Sequence, residues 1–251
     1  MKLIGAEVLK LIRRRGLMTW SLLLTVGSVL VAEVIVIVLH AVNGAHHGPA
    51  GGASNLEAYI FLATGLGSVA AILIGATAGT QDVSNGVFRD LVVTGRSRSM
   101  LFNVRIPGAL LVFLPMLLLA YVLAIGGAFL FAGNLATPSG SVIVEYIEYG
   151  FASGVLSIVM AVGLAAFASS RVVVGVLIAW SAIVSNLIMH IKVLGSVRKG
   201  IDAAAVMQLG PDNINRDAPV HMSELTALLV ILAWAAVFIV FGNWWTRRRD
   251  A

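Results

Sequence analysis

Residues 81–99 read QDVSNGVFRDLVVTGRSRS, and this polar stretch lies between two long apolar runs at 56–78 and 106–131. Each run is long enough to cross the hydrocarbon core of a bilayer, which takes roughly 20 apolar residues in a helix. The connection between them carries three arginine residues together with a row of apolar residues. The two runs therefore predict membrane spans, and the side on which their connection lies sets the topology of the chain.

The composition extends this prediction to the whole chain. Of the 251 residues, 59% are hydrophobic and 12% are charged, whereas a soluble domain has about 45–50% and about 25%. Six apolar runs have the length of a span, at 17–39, 56–78, 106–131, 149–168, 172–189 and 225–242. The sequence thus predicts an all-α, polytopic membrane protein that forms one domain over 1–251. The absence of cysteine excludes disulfides, thiolate metal sites and cysteine nucleophiles.

The basic residues predict the orientation of the six spans. Thirteen of the seventeen lysine and arginine residues fall on the side that carries the termini and the connection at 80–99. The other four lie in the long loop at 190–224 on the opposite side. Lysine and arginine accumulate on the cytoplasmic side of membrane proteins. We therefore expect a multi-pass protein of the cell membrane with both termini and the 80–99 region in the cytoplasm.

The segment 1–16 has the pattern of an amphipathic helix. Its apolar residues Ile4, Val8, Leu11 and Ile12 share one face, and its basic residues lie largely opposite. One interpretation is a basic leader that only orients the first span. The other is an interfacial helix on the inner leaflet, with its lysine and arginine side chains near anionic headgroups.

The 80–99 region has a similar pattern. Its apolar residues recur at helical spacing between Asp82 and Thr94. Asp82 is placed to cap the start of this helix, Gly95 to end it, and Ser97 to cap the helix of the third span. The helix either shields the ends of the spans or provides a docking element for a soluble partner.

These features together resemble the ABC-2 type transporter permeases. That family has an amphipathic N-terminal helix, six spans, and a cytoplasmic helix between spans two and three. Its loop carries an acidic residue, a glycine and a basic residue, and then a turn with a Ser-Arg pair. The matching residues here are Asp82, Gly86, Arg89, Leu91, Gly95, Ser97 and Arg98. The acidic position is often glutamate in the family, so Asp82 is a shorter substitute.

The resemblance implies a subunit of an ATP-driven exporter. Two permease subunits, identical or related, would form the translocation path, and separate ABC ATPase subunits would bind ATP and dock below it. The resemblance assigns ATPase coupling to the helix at 82–94 and to the residues Asp82, Gly86, Phe88, Arg89, Asp90, Gly95, Arg96 and Arg98. It further implies that the apolar face of this helix enters a cleft of the ATPase.

The chain itself has no phosphate-binding G-x-x-x-x-G-K-[ST] loop. We therefore expect ATP to be bound by a separate ATPase. We also expect no enzymatic activity, catalytic residue, cofactor or metal on this chain, and no nucleic-acid partner. Span walls rich in aliphatic residues favour a small hydrophobic or amphipathic substrate. A secondary carrier and a membrane assembly protein that transports nothing are the alternative functions.

Two polar residues within the spans are further candidates. Glu33 lies in span one, about six residues from its outer end. It either serves the path or an ion pair, or is placed at the outer interface. Asn186 in span five is expected to hydrogen-bond between helices. In the 190–224 loop we expect a short helix that ends at Gly210-Pro211 and that either lies outside the spans or re-enters the membrane.

Overall fold

The structure is a computed structural model, and it describes residues 2–44, 46–216 and 218–248. Within these ranges all regular structure is helical. Six helices are long and apolar enough to cross a membrane, so the chain has the architecture of a multi-pass membrane protein. We number them in chain order as spans one to six, with the bounds Arg15–Val42, Ala53–Ser84, Arg98–Leu130, Gly140–Leu164, Ser170–His190 and Glu224–Arg248.

The six predicted spans are confirmed, but most helices extend beyond the apolar runs. Span four begins at Gly140 rather than near residue 149, because Ser139 caps it by accepting a hydrogen bond from the Val142 amide (3.4 Å). The charged residues Glu145 and Glu148 lie in its first turns and lower the local hydropathy, so a prediction from hydropathy alone puts the start of span four too far along the chain. Span three contains a break at Val104, between the helices Arg98–Asn103 and Arg105–Leu130.

Among the described residues, five shorter helices lie outside the spans. They are the N-terminal helix Lys2–Ile12, the loop helix Val87–Val93, the 3₁₀ segment Lys192–Gly200, the outer helix Asp202–Gln208 and the helix Asp212–Arg216. The N-terminal helix packs Leu11, which is fully buried, and Val8 against the core formed by spans two and three. Part of its apolar face is therefore covered by protein.

The three basic segments predicted to share one side of the membrane lie at the same end of the helix bundle. Lys10 of the N-terminal helix contacts Asp82 at the end of span two. The Arg247 guanidinium, near the end of span six, donates to Ser99 Oγ (2.6 Å), and Arg98 donates to the Arg247 carbonyl (3.1 Å). We call this the basic end of the bundle. The connections 43–52, 131–139 and 191–223 belong to the opposite end, where the Gly51 amide, for example, donates to the Phe131 carbonyl.

Span two is the centre of the bundle and contacts spans three and four closely. A Cβ atom at Gly75 would lie 2.8 Å from the Cβ of Ala161 in span four, and Gly79 meets Ala165 in the same way one turn further along. The pair Gly150 and Gly154 in span four accommodates aromatic rings of span three. Both glycine pairs with four-residue spacing therefore serve contacts within the chain.

The structure predicts opposite effects for two glycine substitutions in span two. Gly79→Ala places a methyl group against Ala165, and we expect overpacking of this kind to cost about 1–3 kcal/mol of stability. Gly65→Ala meets no atom within 4 Å and should leave stability unchanged or slightly higher, because alanine is the better helix former. Thermal unfolding of the purified variants in detergent measures both effects. Equal melting temperatures would contradict the packing of spans two and four.

Candidate functional site

The segment predicted as one helix over 82–94 consists of two parts. Span two continues to Ser84, the chain then turns at Gly86 with a φ of 71°, and the loop helix occupies only Val87–Val93. The prediction that Asp82 caps a helix is therefore wrong, since Asp82 lies inside the last turns of span two. Its carboxylate has cationic partners from other parts of the chain and does not bind the amide of a helix start.

The other end of the loop helix agrees with the sequence prediction. Gly95 follows it with a φ of 85°, a conformation that costs glycine little and other residues more. Ser97 caps the next helix, where its Oγ accepts a hydrogen bond from the Met100 amide (3.2 Å). Both residues thus set the turn between the loop helix and span three.

Four charged residues form an ion-pair cluster beneath the loop helix. Arg105, which is 1% exposed, donates from Nη2 to Asp82 Oδ2 (3.2 Å) and from Nη1 to the Gly79 carbonyl (3.0 Å). Lys10 Nζ lies 2.9 Å from Asp82 Oδ1 and also pairs with Glu7, one turn earlier in its own helix. The cluster therefore joins the N-terminal helix, the end of span two and the start of span three.

The charges within this cluster balance, with two carboxylates and two cations. Burial raises the pKa of the Glu7 carboxyl, and the neighbouring Lys10 ammonium opposes that shift. Removing one member of a buried ion pair leaves its partner buried without compensation, which costs more than the pair contributes. The cluster thus holds the three chain segments in one arrangement.

Phe88 attaches the loop helix to this cluster. Its side chain is 5% exposed, and the guanidinium carbon of Arg105 lies 5.9 Å from the centre of its ring. The expectation that Phe88 belongs to an apolar face inserted into a partner is therefore wrong, because its ring packs inside its own chain. The burial of Phe88 explains how a helix of only seven residues is held in place.

The remaining predicted coupling residues lie on the surface. Gly86, Arg89, Asp90, Gly95 and Arg96 are exposed, and Arg98 is half-buried where it donates to the Arg247 carbonyl. We define the outer surface of the loop helix as Val87, Arg89, Asp90 and Val93, all of which are exposed. This surface combines two aliphatic side chains with one charge of each sign.

Glu33 lies near the outer end of the bundle, as its position in the sequence indicates, whereas Asn186 differs from its predicted setting. Glu33 is 8% exposed and packs against the backbone of Gly127, which is close to the outer end of span three. Its Oε1 accepts no hydrogen bond from a described residue. Asn186 does not bridge helices but donates to the Ser181 and Ala182 carbonyls of its own helix (3.2 Å each). The π-helical turn at Trp180–Val184 disturbs the regular hydrogen bonding there and leaves these carbonyls to the side chain.

The outer helix returns into the bundle. Trp180 donates to Asp202 Oδ1 (2.9 Å), and Trp234 donates to the Gly200 carbonyl (2.8 Å). Each tryptophan is ten residues from the outer end of its span, a distance of about 15 Å along a helix. Residues 200–202 therefore lie between spans five and six, well below their ends. The predicted helical run is confirmed, since it ends at Gln208 before Gly210-Pro211, and the geometry supports the re-entrant alternative.

Sequence reasoning missed Glu7, Lys10 and Arg105 as parts of the site. One available signal was that Asp82 closely follows one apolar run and Arg105 directly precedes the next, so that adjacent spans bring opposite charges together. A second signal was the spacing of Glu7 and Lys10, which places both on one side of a helix.

Comparisons with known proteins do not assign a family. No protein-family model matches the sequence, and no curated protein matches it. Within residues 2–44, 46–216 and 218–248, no group of three or more His, Cys, Asp or Glu side chains is arranged to hold a metal ion. The functional conclusion therefore depends on the geometry of the basic end and on the sequence pattern.

The ion-pair cluster predicts a strong effect of Asp82→Asn on stability. This change leaves Arg105 buried beside a neutral amide, and we expect it to cost about 3–5 kcal/mol. Asp90→Asn makes the same chemical change on the exposed loop helix and should have little effect. Thermal unfolding of both variants in detergent provides the test. If the two melting temperatures agree, the cluster does not hold the basic end together.

The tryptophan contacts predict the accessibility of the outer helix. Trp180→Phe keeps a ring but removes the hydrogen bond to Asp202, so the outer helix should leave its site more often. A single cysteine introduced at the fully buried Ala205 should then react several-fold faster with a water-soluble thiol reagent. The control is Trp20→Phe, which changes an exposed tryptophan of span one in the same background. Equal labelling rates in the two variants would contradict the re-entrant arrangement.

Proposed function

We propose that the chain is the permease subunit of an ATP-driven ABC exporter. Two such subunits, identical or related, form the translocation path, and separate ATPase subunits dock on the outer surface of the loop helix. The observation that carries this proposal is the position of the loop helix. It is anchored from the inside by Phe88 and Arg105, and it presents Arg89 and Asp90 to the outside.

This anchoring suits a helix that transmits force. A displacement applied at Arg89 and Asp90 would pass through Phe88 to Arg105, the first residue of the main helix of span three. From Arg105 it would continue through the ion pair to Asp82 at the end of span two. Because these contacts are buried and close-packed, movement of the loop helix would move both span ends with it.

The proposal places ATP on the partner and not on this chain. The 251-residue sequence has no phosphate-binding loop, so in this proposal ATP is bound by the separate ATPase subunits. The excess of lysine and arginine at the basic end supports a cytoplasmic location for that end, where ATP is available. The protein then lies in the cell membrane with both termini in the cytoplasm.

The distribution of buried surface supports a path built by two subunits. Only 11% of the most apolar stretch of span six is buried inside the chain, and 22% of those of spans one and five, against 56% for span two. These open faces are available to lipid and to a second subunit. The aliphatic span walls favour a small hydrophobic or amphipathic substrate, and the outer helix between spans five and six is placed to close the exit.

The decisive experiment is purification of the chain from its native membrane in mild detergent. We expect an ATPase of the ABC type to co-elute, and we expect transport in inverted vesicles to require ATP. Transport by the chain alone would instead identify a secondary carrier. Absence of both transport and an ATPase would leave an assembly function.

A second test changes the outer surface of the loop helix. Arg89→Ala combined with Asp90→Ala should weaken ATPase binding about tenfold, because arginine is enriched among the interface residues whose truncation costs more than 1 kcal/mol, and a loss of about 1.4 kcal/mol corresponds to a factor of ten. The amount of permease in the membrane and its melting temperature should not change, since both side chains are exposed. Arg171→Ala removes an exposed charge in the connection between spans four and five and serves as the control. Binding that is unaffected by the double change, or equally weakened in the control, would exclude the loop helix as the docking element.

A further inference from the structure

A groove with a basic rim lies beside the ion-pair cluster, between the N-terminal helix and the end of span two. It has a volume of about 390 Å³. Six residues line this basic groove, and they are Ala6, Leu9, Lys10, Arg13, Arg14 and Gln81. Five come from the end of the N-terminal helix and the turn after it, and Gln81 precedes Asp82 in span two.

Two of the three cationic residues at this groove have no carboxylate partner within the described chain. Arg13 and Arg14 are exposed and form no ion pair with a described residue. The carboxylates of Glu7 and Asp82 are already paired with Lys10 and Arg105. Two arginine residues without a carboxylate partner and one lysine therefore line the same groove, an arrangement that attracts a phosphate.

The groove lies where a membrane surface is expected. Span one begins at Arg15, directly after Arg14. Leu9 and Ile12 on the N-terminal helix and Trp20 in span one are 51%, 48% and 63% exposed. Exposed apolar and tryptophan side chains beside arginine are typical of segments at the boundary between headgroups and acyl chains. This position favours a lipid over a soluble phosphate compound or the acidic surface of a protein.

We propose that the basic groove binds the phosphate of an anionic phospholipid, such as phosphatidylglycerol. The phosphate lies between Arg13, Arg14 and Lys10, and Leu9 contacts the lipid backbone. Lys10 belongs to both the groove and the ion-pair cluster. The bound headgroup thus lies beside the contacts that anchor the loop helix. This site does not depend on the proposed transport function.

The test is lipid retention by the full chain. The protein is purified from nanodiscs of phosphatidylcholine with a minor fraction of phosphatidylglycerol, and the lipids that remain bound are counted by native mass spectrometry. We expect phosphatidylglycerol to be retained preferentially. We expect Arg13→Gln combined with Arg14→Gln to lower its retention at least fivefold. The double change Arg15→Gln and Arg171→Gln removes the same charge from exposed positions outside the groove and should lower it less than twofold.

Further measurements distinguish the possible ligands of the basic groove. Equal loss in both double variants would show general charge attraction and overturn the site. Complete displacement of the lipid by millimolar inorganic phosphate would identify a soluble anion as the ligand. Unchanged lipid retention together with loss of a co-purifying protein would assign the groove to a protein partner.

Discussion

The buried ion pair between Asp82 and Arg105 is the interaction on which the basic end of the molecule depends. Burying an isolated ion costs several kcal/mol, so each of these side chains is stable there only with its partner in place. The pair links the end of span two to the start of span three across the chain reversal at 85–97. Lys10 adds the N-terminal helix, and Phe88 adds the loop helix. One electrostatic constraint thereby joins four chain segments at the basic end.

The two ends of the bundle hold short segments to the spans by different interactions. At the basic end, charges fix short helices to the spans, and the cost of separating them makes the arrangement stiff. At the opposite end, two tryptophan donors hold residues 200–202 between spans five and six, each through one hydrogen bond. Such single bonds contribute about 1 kcal/mol, so this segment is easier to release. In the proposed transporter, the loop helix at the basic end would transmit movement through strong contacts. The outer helix at the opposite end would open by breaking weaker ones.

The spans were predictable because the bilayer thickness fixes how long an apolar helix must be, and no tertiary contact alters that requirement. The stop at Gly95 and the cap at Ser97 were predictable because their signals are local. The binding partners of Asp82 were not predictable, since a carboxylate near a helix end can bind either a nearby amide or a distant cation. Its partner Lys10 lies 72 positions earlier in the sequence. Asn186 was assigned wrongly for a similar reason. Its side-chain amide donates to carbonyls of the π-helical turn, and hydropathy gives no signal for such a turn.

The anchoring of the loop helix also separates the residues that form it from those that a partner could recognise. A helix of seven residues is not stable alone in water, so this one depends on Phe88, the glycine turns and the connection to span three. None of these elements uses Arg89 or Asp90, whose side chains are exposed. The helix is therefore already formed before any partner arrives, which lowers the ordering cost of association. Its outer surface can then vary with the partner without loss of the fold, because the contacts that hold the helix all lie on its inner side.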